Sequence, residues 1–134
     1  MNPNYCFDSL VEMMETGTPD FYLATDNDSP DDNLLYLRIT TIWLPDNHGN
    51  RPDGWWVQGD YWESNKSIVA VESGDSQPQT FVESMRYGCP STILESCILS
   101  LGNAKLCLLE FLLKSSPSAA VSWIPLSSAI KTLF

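Results

Sequence analysis

LLYLRITTIWLPDNHGNRPDGWWVQGDYWES, residues 34–64, reads as two strands and the loop between them. Its first eleven residues are leucine, β-branched or aromatic apart from Arg38, the composition of a strand. Alternation puts Leu35, Leu37, Ile39, Thr41 and Trp43 on one face. It puts Leu34, Tyr36, Arg38, Thr40, Ile42 and Leu44 on the other. Both faces are substantially apolar, which predicts a central strand covered on both sides. Residues 45–54 are rich in Pro, Asp, Asn and Gly and predict a long hairpin loop. Residues 55–64 then return antiparallel to the first strand.

The returning strand poses the functional question. Trp55, Val57, Gly59 and Tyr61 share one side and read as core-facing. Gly59 leaves room for a bulky neighbour or marks a bulge. Trp56, Gln58, Asp60 and Trp62 share the other side, where two large aromatics alternate with an amide and a carboxylate. That amphipathic face predicts a partner-binding surface, with the indoles as anchors and Asp60 as acceptor for a basic side chain. The competing reading is a second buried layer, with helices covering Trp56 and Trp62.

Upstream, residues 4–16 predict a helix. Tyr5, Leu10, Met13 and Met14 share a face flanked by Phe7 and Val11, while Asp8, Glu12 and Glu15 lie opposite. Gly17 and Pro19 end it. A short strand is expected at 21–24. The loop TDNDSPDDN, 25–33, carries Asp26, Asp28, Asp31 and Asp32. It fails the EF-hand pattern: from Asp26, position 5 is Pro30, position 6 is Asp31 and position 12 is Leu37. It reads as a solvated acidic loop that contributes to partner binding.

Downstream, strands are expected at 67–73 and 79–85, with a turn at 74–78. Thr92 and Glu95 fit a capping box and predict a helix beginning near Pro90. Gly102 and Asn103 break that helix or turn it. Residues 104–114 are apolar nearly all round, which predicts deep burial, as helix or strand. A last strand at 119–124 and a short terminal helix at 126–134 complete the pattern. Segregated strands and helices give an α+β fold: an antiparallel sheet meander of about four or five strands, with an N-terminal helix and C-terminal helices packed on it.

The chain has 134 residues, enough for one domain with a substantial core. Its formal charge is −10, and 14 of its 17 acidic residues fall within residues 1–75, which hold only Arg38, Arg51 and Lys66 as bases. Residues 76–134 are close to neutral. Such a field repels nucleic acid and anionic membranes and draws cationic partners. The most apolar window, 93–113, is interrupted by Glu95, Asn103, Lys105 and Glu110, which argues against a membrane span. The N-terminal stretch has no basic region and no continuous apolar run, so no signal peptide is expected.

Cys6, Cys89, Cys97 and Cys107 form no C-x-x-C pair, so no zinc or thioredoxin-type motif is present. Reduced thiols in a cytoplasm are the simplest reading. The single histidine, His48, lies in a turn-rich loop and would have to serve any Ser–His–Asp or Cys–His arrangement, with Cys6 or Cys89 as the thiol candidates. No phosphate-binding glycine loop or nucleophile elbow is seen. Asp53, Asp60 and Glu63 are the carboxylates near the tryptophans, but Asp60 and Glu63 fall on opposite faces. The expectation is therefore no enzyme, no cofactor and no metal.

The reading that results is an acidic cytoplasmic protein that binds and occludes a basic protein partner. It resembles in charge and size an immunity protein or a mimic of nucleic-acid charge. Two other classes stay open: a dimeric secretion chaperone, and a small carbohydrate- or ligand-binding domain or carboxylate-dependent hydrolase.

Overall fold

A computed structural model describes residues 3–17, 20–24, 34–47, 49–61, 66–72, 80–86 and 89–131. The chain opens with helix α1, Pro3–Glu15. Leu10 and Met14 are buried, Phe7, Val11 and Met13 are half-buried, and Asp8, Glu12 and Glu15 face water. Gly17 ends the helix at φ +88°, a conformation that favours glycine. The side chain of Tyr5 is outside those described.

Strands β1 (Asp20–Ala24), β2 (Leu34–Ile42), β3 (Gly54–Tyr61) and β4 (Ser67–Val71) then run as an antiparallel meander. The sheet gains a fifth strand from far along the chain, β7 (Ser122–Pro125), which pairs antiparallel with β4. The architecture is α+β, with sheet order β1-β2-β3-β4-β7.

The chain leaves this sheet after β4. Strands β5 (Phe81–Arg86) and β6 (Cys89–Leu94) form a hairpin that, with β8 (Ile130–Lys131), makes a second sheet in the order β5-β6-β8. The helix expected to begin near Pro90 is therefore a strand. Thr92, the expected cap, instead pairs with Glu83 on one side and Lys131 on the other. Pro90 is tolerated because its register partner Met85 directs its N–H and C=O to Trp43, at 2.8 and 3.2 Å. The missing proline N–H thus leaves nothing unpaired. Only a 3-10 turn, Glu95–Cys97, follows.

Helix α2, Leu101–Lys114, settles the choice between helix and strand for 104–114 and begins three residues earlier. Ser100 caps it, its hydroxyl accepting from the Asn103 N–H. The carboxylate of Glu72, just past β4, accepts from the Ser100 N–H at 2.5 Å and from the Asn103 side-chain amide. A negative group at this end also complements the helix dipole. The expected terminal helix is only one turn, α3 (Leu126–Ala129), before the chain becomes β8.

The five-stranded sheet is covered on both faces. On one side Leu37, Ile39, Trp55, Val57 and Ala70 meet Leu10 and Met14 of α1 and Ala104, Cys107, Leu108 and Phe111 of α2. On the other, Ile42, Trp56 and Val69 meet Ile93 and Leu94 of β6, Cys97, and Ala129 of α3. The second layer is thus mainly a small sheet, with the single turn of α3 beside it. The segment before α2 seals one end of β3: Leu99 exchanges both backbone bonds with Trp55, at 2.9 and 3.1 Å. A Cβ at Gly54 would stand 2.3 Å from Ile98 Cγ2 and 2.9 Å from the Leu99 carbonyl oxygen, so only glycine fits.

Candidate functional site

The second sheet covers only part of the face it packs on. The β2–β3 register sets Thr40 opposite Trp56, Arg38 opposite Gln58 and Tyr36 opposite Asp60. Exposure rises along that series. Trp56 is fully buried and Gln58 nearly so, whereas Asp60 is half-buried. The neighbouring strands extend the rows: Tyr22 of β1 lies beside Arg38, and Ser67 of β4 lies beside Asp60. A bulge between Leu34 and Tyr36 shifts the register next to the Tyr36–Asp60 pair. Bulges commonly re-aim side chains beside functional sites.

The open end holds a recess of 280 Å³ lined by Tyr22, Tyr36, Arg38 and Asp60. The two tyrosine rings meet edge to face, 5.6 Å apart at 87°. The Arg38 guanidinium stands 5.9 Å over the Tyr22 ring, and its Nε is 3.5 Å from Asp20 Oδ1. Thr40 Oγ1 donates to the same Asp20 oxygen at 2.9 Å.

Asp60 ends a chain of hydrogen bonds that starts in the core. Trp56 Nε1 donates to Gln58 Oε1 at 3.1 Å, and Gln58 Nε2 donates to Asp60 Oδ1 at 3.2 Å. Ser67 Oγ donates to that same oxygen at 2.6 Å. Among the described residues no hydrogen bond ends on Asp60 Oδ2. The carboxylate is therefore oriented through Oδ1, in a recess with two aromatic rings. Such a group accepts a guanidinium or ammonium ion.

Of the residues expected to bind a partner, Gln58 and Asp60 belong to this site. Trp56 does not reach the surface. Its ring fills the layer between the two sheets, where it presents no face to a partner or to a sugar. Trp62, Asp26, Asp28, Asp31, Asp32 and His48 lie outside the described residues, as do the side chains of Cys6 and Cys89. Each described tryptophan donates its indole N–H within the protein: Trp43 to Thr41 Oγ1, Trp55 to the Met14 carbonyl, Trp56 to Gln58, and Trp123 to the Ser118 carbonyl. Trp55 and Trp56 are structural, as buried indoles with satisfied donors usually are, whereas Trp43 and Trp123 are half-buried.

Asp20, Tyr22, Tyr36 and Arg38 were missed as site residues. The signal for two of them, Tyr36 and Arg38, was their alternation with Thr40 on one face of β2. What alternation lacked was the register that sets them beside Asp60. A larger recess, 740 Å³ between β4, β7 and α3, is lined mainly by Ile68, Trp123, Ile124, Leu126 and Ile130, with Lys66 at its edge. Among the described residues, no carboxylate lines it.

Cys97 and Cys107 are free, and burial pushes both thiols up to about 12. Such thiols are poor nucleophiles. Among the described residues no three His, Cys, Asp or Glu side chains gather as a metal-binding group, and no helix is long and apolar enough to cross a membrane. No protein family, curated protein or solved structure matches the chain.

Proposed function

We propose that this chain is an acidic binding protein that docks a basic protein through the open end of its five-stranded sheet and occludes the surface it covers. The observation that carries this reading is the Asp60 carboxylate, oriented by Gln58 and Ser67 and lying in a recess with Tyr22 and Tyr36. Tyr22 is the natural anchor, a large aromatic side chain that is 60% exposed. Arg38 on the Tyr22 ring beside Asp20 is an internal example of the contact that a partner's arginine would repeat on Tyr36 and Asp60. The charge of −10 steers the encounter and sets its salt dependence. An immunity protein or a nucleic-acid charge mimic would work in this way, and the reading assigns the chain no catalytic step.

The test is a paired capture from lysate of the source cells. One bait is the wild-type chain. The other carries Tyr22→Ala and Asp60→Asn and is checked by circular dichroism for an unchanged fold. A basic protein held by the first bait, lost by the second and released by rising salt supports the reading. Equal capture by both baits, or a captured protein that is not basic, overturns it.

A further inference from the structure

Helix α2 has two apolar sides. The side carrying Ala104, Cys107, Leu108 and Phe111 is buried against the five-stranded sheet and α1. Nearly opposite, Gly102, Leu106, Leu109 and Leu113 face solvent, with the leucines 44%, 38% and 61% exposed. A helix that borders water normally carries polar residues there. The spacing of this outer stripe is four, three and four residues, the repeat of a two-helix seam. Assigned as d, a, d and a, it places Lys105 at a g position and Glu110 at an e position, one on either flank.

We propose that α2 packs in parallel against α2 of a second copy of this chain. Charge argues for a second copy. The chain as a whole carries −10, but this helix carries Lys105 and Lys114 against Glu110, so two copies meet where they repel least. Charge also sets the direction. In a parallel pair, a g position lies beside the e position five residues on in its partner, so Lys105 meets Glu110 of the second copy twice over, sharing that carboxylate with Lys114 of the same helix, 3.6 Å away. An antiparallel pair sets Lys105 against Lys105 and Glu110 against Glu110. Among the described residues, nothing lies within 4 Å of where a Cβ on Gly102 would be, which suits close approach at the N-terminal end. A stripe on one 14-residue helix offers less than the roughly 800 Å² per partner of a typical stable complex. The dimer is therefore weak and exchanges with monomer.

Sedimentation velocity of the full chain over roughly 1–500 μM tests this. The wild type shifts from monomer to dimer across that range. Leu109→Glu and, separately, Leu113→Glu stay monomeric with unchanged circular dichroism, because both side chains are exposed in the monomer. Lys105→Glu alone and Glu110→Lys alone each weaken the dimer about three- to tenfold, and the double exchange restores it. A wild type that is monomeric throughout, or a dimer that persists in both leucine variants, overturns the proposal. Failure of the double exchange to restore association overturns the parallel pairing.

Discussion

Trp56 and Tyr22 sit on the same face of one sheet, in adjacent cross-strand rows, and their substitution should separate packing from surface. Trp56→Ala empties a fully buried site and strips Gln58 of its donor, so it should cost about 3–5 kcal/mol in urea unfolding. Tyr22→Ala removes a mostly exposed ring and should stay within about 0.5 kcal/mol of wild type. Gly54→Ala tests the close approach of Ile98 and Leu99. The added methyl must push backbone aside, so a loss of about 1–3 kcal/mol is expected, read as a lower melting temperature. The buried thiols make a pH prediction. Cys97 and Cys107 keep their protons up to about pH 12 when folded, against 9.0 for an ordinary exposed thiol, burial being the main cause in both and Glu72 and Glu110 adding to it for Cys107. The unfolded chain loses those protons first. Their contribution is whole below about pH 9 and declines as pH rises towards 12. Stability measured at about pH 8 and pH 10.5 should fall more for wild type than for a Cys97→Ala, Cys107→Ala variant.

At the scale of elements, the start of α2 joins three parts of the chain. Ser100 caps the helix, Glu72 binds that cap from the end of β4, and the Glu72 N–H donates to the Ser96 carbonyl at 2.9 Å. Ser100→Ala should cost about 1 kcal/mol. Hydrogen exchange should show the loss first in the amides of the first turn of α2. The elements most legible in the sequence were those whose own chemistry decides them. Residues 4–16 carried a 3.6-residue apolar period and a terminal glycine, and 34–64 carried two strands and a turn-rich loop. Residues 90–95 misled because Thr92 and Glu95 imitate a helix cap, while strand pairing with β5 and β8 satisfies the same backbone groups. Local capping cannot compete with a hairpin that also buries Ile93 and Leu94.

For the molecule as a whole, the five-stranded sheet is the shared wall of two apolar layers. Leu108→Ala in one layer and Ile93→Ala in the other should each cost about 2–5 kcal/mol. Both should shift one common unfolding transition seen by tryptophan fluorescence and far-UV circular dichroism. Two separate transitions would mean that β5, β6 and β8 fold as their own unit. The sequence by itself determined what depends on neighbours a few residues apart: the α+β class, the antiparallel strands around the 45–54 loop, which side chains alternate along each strand, and the concentration of acid in the first 75 residues. Only the tertiary structure decided which face of the tryptophan strand is covered, and by what. Trp56 and Asp60 alternate on one face and look equivalent in the sequence. They differ because β6 and α3, supplied from 30 to 70 residues away, cover that face near Trp56 and stop short of Asp60. Burial is a property of where distant segments end, and no local pattern records it.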